Sequence, residues 1–126
     1  MASAPVSIEA VSRFQLDQLL ASVPAGTSSR KLIATPDFRQ VLFCMDAAQE
    51  ISEHRSPFLA IVQVLAGGLR IAVGGNEYRL DAGDWLSMPP DAPHALRADT
   101  PARFLLTMVR QRVCCGGSHA PVKPSE

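Results

Sequence analysis

Three prolines within five positions, Pro89, Pro90 and Pro93, follow a short apolar run and end on a single histidine. Before them, Gly83-Asp84 makes a turn that tolerates positive φ, and Trp85, Leu86 and Met88 are apolar and strand-compatible. Proline fixes φ and cannot donate to a sheet ladder, so the bend must lie outside the central pairing. His94 then opens the next strand with little backbone freedom. Rigid loops that aim a titratable side chain are a usual way to build a site. The simpler reading is a histidine that only hydrogen-bonds at a barrel mouth.

Around this stretch the period is two. Arg39, Val41, Phe43 and Met45 share one strand face, and Phe38, Gln40, Leu42 and Cys44 share the other. Both faces are partly apolar, as in a strand inside a sandwich. Phe58 to Leu65 is nearly continuous apolar sequence between Pro57 and Gly67-Gly68. Leu69, Ile71 and Val73 alternate with Gly68, Arg70 and Ala72, and Gly74-Gly75-Asn76 is a hairpin turn. His94, Leu96 and Ala98 fall on one face of a strand, and Phe104, Leu106 and Met108 on one face of the last. Eight or nine short strands separated by turns predict an all-β sandwich or barrel. Ahead of them, Val11, Phe14, Leu19 and Leu20 suit a short helix over Ser12 to Ala21, capped by Ser12. The expected division is an N-terminal arm with that helix (1–29), one barrel (30–112) and a flexible tail (113–126).

The length, 126 residues, suits one domain that buries roughly two-thirds of its unfolded surface. Twelve basic residues balance twelve acidic ones, so the clustered basic excess of a nucleic-acid footprint is missing. No window reaches the length of a membrane-spanning helix. Met1-Ala2-Ser3-Ala4-Pro5 lacks the basic start and apolar core of a secretory signal. Cys44, Cys114 and Cys115 are an odd set with two neighbours, unlike a disulfide framework. A reduced cytoplasmic protein is expected, and Cys114, Cys115 and His119 are read as part of the loose tail rather than a metal site.

The turn, strand, bend and histidine, with the hairpin before them, resemble the cupin superfamily of small double-stranded β-helix barrels, over roughly Val41 to Val109. Val64 to Gly75 looks like the end of the first cupin motif and the hairpin beyond. Gly83, Pro89 and His94 fall where the second motif has its Gly, Pro and His, and Asp91 stands where it usually has Gly. The resemblance implies a jelly-roll-like barrel similar to small single-domain bacterial cupins. Metal-binding cupins usually offer two histidines one residue apart and then a glutamate. Here His54 matches the first histidine, Ser56 stands at the second and Ala60 at the glutamate.

His54 and His94 are therefore the candidate metal ligands, expected to meet across the barrel mouth. The resemblance implies a divalent transition metal (Zn, Fe, Mn, Ni or Cu). Two imidazoles alone hold such an ion weakly, since catalytic sites use three protein ligands. Met88 or Met108 would add a soft sulfur, but each reads more simply as core filler. Cys44 reads as a small buried apolar residue. Phe58, Met88, Leu96 and Phe104, with Val62 and Leu106, are expected to line an apolar pocket, the usual make-up of a small-molecule site.

Three functions compete. One is a binding module that holds a small molecule, with or without a metal, through His54 and His94. The second is a metal-dependent enzyme of dioxygenase or isomerase type with an unusual ligand set. The third is a barrel filled by its own side chains. Small cupins are commonly dimers, so a homodimer is expected, with Leu59, Ile61 and Leu65 on the covered outer face.

Overall fold

The structure is a computed structural model that describes residues 5–111. Nine strands are present among those residues: β1 (Thr27–Ala34), β2 (Phe38–Met45), β3 (Glu50–His54), β4 (Phe58–Ala66), β5 (Gly68–Val73), β6 (Asn76–Asp81), β7 (Trp85–Met88), β8 (His94–Ala98) and β9 (Ala102–Arg110). They form a five-stranded sheet in the order β1-β2-β9-β4-β7 and a four-stranded sheet in the order β3-β8-β5-β6. All the recorded pairs are antiparallel.

The period-two pattern decides what faces the interior. Pairing Val41 with Leu106, and Val62 with both Leu106 and Leu86, puts one apolar set on the inner side of the large sheet. Leu69, Ile71, Leu80, Leu96 and Ala98 answer from the small sheet, and the two sets form one core. Its centre includes Phe104, whose ring stacks on Phe43 at 4.9 Å between centroids and 6° between planes. The hairpin from β5 to β6 turns on Gly74 and Gly75, both at positive φ (56° and 89°), as a two-residue turn of this twist requires.

The expected helix over Ser12 to Ala21 does not form: no helix occurs among the described residues, only a turn closed by the Gln18 amide on the Gln15 carbonyl at 3.0 Å. A helix needs its carbonyls for its own amides. Here they are taken by the sheet. Arg103 donates to the Leu16 and Leu20 carbonyls at 3.1 and 3.0 Å, and Arg30 to the Leu19 carbonyl at 3.3 Å. Leu16, Leu19 and Leu20 instead pack on Leu32, Leu42 and Leu105, making a second core on the outer side of the large sheet. Cys44 lies on that outer side, its thiol 3.7 Å from the Leu20 carbonyl. Burial pushes this thiol up, against the smaller opposite pull of the Arg103 charge.

Asp46 fastens the end of the arm. Its carboxylate accepts from the Ala25 amide at 2.7 Å and the Ala47 amide at 2.8 Å. These two bonds, Ala25 first, hold its carboxyl below the usual carboxylate range. The arm leaves part of the large sheet's outer face bare. There Trp85 is 58% exposed and Leu65 37%, beside half-buried Leu59 and Ile61. The outer face of the small sheet is polar, with Arg97 paired to Glu50 at 2.7 Å and Arg70 to Asp99 at 2.8 Å.

Candidate functional site at the barrel mouth

His54 closes β3 and His94 opens β8, and the two are direct partners across the ladder. One irregularity makes this possible. Ile51 faces inward opposite Leu96, so unbroken alternation would bring Glu53, not His54, to the inner side. The register shifts between Ile51 and His54. That extra residue turns the imidazole toward the interior.

The two rings meet edge to face, 4.2 Å between centroids and 66° between planes. His94 is buried and His54 exposed, so the pair runs from the interior to the surface. Each Nδ1 lies 2.9 Å from the carbonyl two residues earlier, Ser52 for His54 and Ala92 for His94. A carbonyl only accepts, so each Nδ1 carries the proton, and in the neutral ring Nε2 keeps its lone pair. Neither Nε2 has a hydrogen-bond partner among the described residues.

The loops behind the rings are joined. The Asp91 amide donates to the Ser56 carbonyl at 2.7 Å, and the Gly74 amide to the Pro93 carbonyl at 3.0 Å. Asp91 makes its bond from the left-handed region, φ 65°, which Asp tolerates better than most residues. The Ser56 hydroxyl accepts from the Phe58 amide at 3.2 Å, a local cap of the β3–β4 bend. Ala60 stands between Met88 on β7 and Met108 on β9.

Phe58 is buried at the same end of the barrel, with the guanidinium carbons of Arg39 and Arg110 lying 5.5 and 5.2 Å from its ring centroid. Leu96 and Met88, expected to line a pocket, are 7% and 1% exposed and belong to the core. Phe104 is 1% exposed and pairs with Val64 and Phe43. It therefore lies several residues deeper along β9 than Met108 and Arg110. Of the four expected ligand contacts, only Phe58 stands beside charged groups of the mouth. Arg39 and Arg110 were not among the expected site residues. The signal was there: each continues the inward parity of an otherwise apolar face, Arg39 before Val41 and Arg110 after Met108.

No group of three or more His, Cys, Asp or Glu side chains that could hold a metal occurs among the described residues. The donor set is two imidazole nitrogens, which fits an ion that completes its shell from solvent or from a ligand.

Two sheets closed on one core, with paired histidines at the open end and a Pro-rich bend behind them, define a small β-barrel of the double-stranded β-helix kind. The sequence profile of the cupin domain matches residues 41–109, and the chain belongs to the cupin family. It is similar to a solved conserved protein of unknown function from Streptococcus pyogenes, at 31% identity over 90% of this chain and 100% of that one, TM-score 0.78. It is also similar in fold to a cupin superfamily protein from Desulfitobacterium hafniense, at 16% identity over 88% and 99% of the two chains, TM-score 0.76. A third likeness is to salicylate 1,2-dioxygenase from Pseudoaminobacter salicylatoxidans, at 19% identity over 74% of this chain and 27% of that one, TM-score 0.63. That likeness is one of fold. No curated protein matches the chain. No helix among the described residues is long and apolar enough to cross a membrane.

Proposed function

We propose that this cupin is a small-molecule-binding module whose ligand is held at the barrel mouth by His54 and His94, directly or with a weakly held divalent transition metal. One observation carries the reading. Both Nδ1 protons are used on carbonyls, so two touching rings each keep an Nε2 lone pair for a ligand. Such a pair accepts from a ligand donor, or coordinates a Zn, Fe, Mn, Ni or Cu ion, which would supply Lewis acidity when bound. Ser56 capping its own loop, and Ala60 between two methionines, favour binding over metal-dependent catalysis, because neither supplies the missing ligand.

Calorimetric titration of metal-stripped protein with Zn²⁺ tests this. One weakly bound ion per chain is expected, with affinity falling about tenfold or more in both His54→Ala and His94→Ala. Unchanged affinity in both variants would overturn the assignment. Stoichiometric metal that survives purification and disappears in those variants would favour the enzyme reading.

The bare outer face supports a homodimer. Leu59, Ile61, Leu65 and Trp85 form an apolar patch beside the arm. Light scattering at micromolar concentration should give twice the chain mass, and Ile61→Lys should halve it. A monomeric mass for the unchanged protein would count against the dimer.

A further inference from the structure

From the two guanidinium groups over Phe58, we infer that the mouth recognises the carboxylate of a small organic acid, with Arg39 and Arg110 as its anchors. The inference rests on the reading that the mouth binds a small molecule, and it adds the chemical class.

Arg39 sits at an inward position on β2, paired with Met108. It makes no ion pair and no hydrogen bond among the described residues, and its guanidinium lies over the ring of Phe58. Arg110 ends β9 at the matching inward parity, paired with Phe58 itself. Its Nε is engaged by the Pro36 carbonyl at 3.4 Å and the Asp37 carboxylate at 3.5 Å. Other charged groups on the adjoining loops are Glu53, Arg55 and Asp91, all exposed. A guanidinium lying on a ring uses its flat face for the π cloud. Its rim of N–H donors stays in the plane, where a carboxylate is met by two parallel bonds. All five N–H donors of Arg39 are unspent in this way.

The surroundings select an organic acid over an inorganic anion. Phe58, over which both cations lie, and half-buried Met108, the partner of Arg39 across the ladder, offer apolar contacts next to the cations, which suits a ligand with a charged head and a short hydrocarbon body. The imidazole pair on the opposite sheet offers acceptors to the far end of such a ligand. Arg39 and Arg110 are both exposed, so their donors are open to a carboxylate that arrives from solvent.

The probes are hexanoate, its neutral analogue hexanamide and sulfate, titrated into the full-length protein and followed by ¹H–¹⁵N spectra that include the arginine Nε–H signals. Hexanoate should shift the Arg39 and Arg110 signals saturably, and hexanamide should not. Arg39→Met should weaken hexanoate about tenfold or more, with Arg39→Lys recovering part of the loss. Circular dichroism establishes that each variant is folded, and Arg110→Met provides a second variant should the first fail to fold. Equal response to sulfate, or hexanoate affinity indifferent to both arginine substitutions, overturns the inference. The two readings fail separately. Zn²⁺ affinity lost in the histidine variants, with hexanoate blind to Arg39, sinks the carboxylate site alone. Hexanoate affinity that depends on Arg39, with Zn²⁺ affinity unmoved in the histidine variants, sinks the histidine assignment alone.

Discussion

Gly67→Ala is expected to lower unfolding free energy by about 3 kcal/mol, summing αL strain of about 1–2 kcal/mol and a similar cost for a forced backbone shift. Gly67 joins β4 to β5 at φ 78°, and a Cβ there would lie 2.0 Å from the Pro101 carbonyl oxygen and 2.9 Å from the Ala102 Cα. Both obstacles are backbone, so no rotamer change relieves them. Gly74→Ala is the control. Gly74 is also at positive φ, but nothing lies within 4 Å of its Cβ position, so only the conformational cost of about 1 kcal/mol applies. Denaturant midpoints measured side by side separate the two costs. Equal losses at the two positions would show that the contact with Pro101 is not rigid.

Phe104→Ala should cost more, about 3–5 kcal/mol, the range for emptying a large aromatic from a packed interior. Against a total of about 5–15 kcal/mol for a domain of this kind, that is a large share. Phe104 is 1% exposed and stacked flat on Phe43, so its removal leaves a void that the two sheets cannot close without moving. Phe104→Leu should lose only about 1–1.5 kcal/mol, since most of the volume remains. Chemical denaturation measures both. A loss for Phe104→Ala under about 1 kcal/mol would mean that the ring faces an open cavity and belongs with the ligand contacts after all.

Much of this fold is legible because its period is local. Arg39 to Met45 reads as a strand apolar on both faces, Gly74-Gly75 can hardly be anything but a hairpin, and three prolines cannot sit inside a sheet. These features rest on neighbours in sequence, and the Pro-rich bend delivers His94 to the opening where His54 meets it. What escapes the sequence depends on distant partners. The apolar spacing of Val11 to Leu20 suits a helix until Arg103, more than eighty positions on, claims the Leu16 and Leu20 carbonyls. The extra residue in β3 is hidden because Ser52 and Glu53 are ordinary strand residues. The depth of Phe104 depends on strand length and register, which alternation leaves open. The two arginines on Phe58 come from β2 and β9, and the meeting exists only once β9 lies between β2 and β4.

The bond from the Asp91 amide to the Ser56 carbonyl gives the histidine pair a mechanical character. Each imidazole hangs from its own loop, yet the loops are riveted together at 2.7 Å, so displacing one ring drags the other. A guest that wedges the rings apart must break that rivet. If the mouth binds as proposed, a guest that lies against the paired rings leaves that bond intact, whereas one that separates them does not.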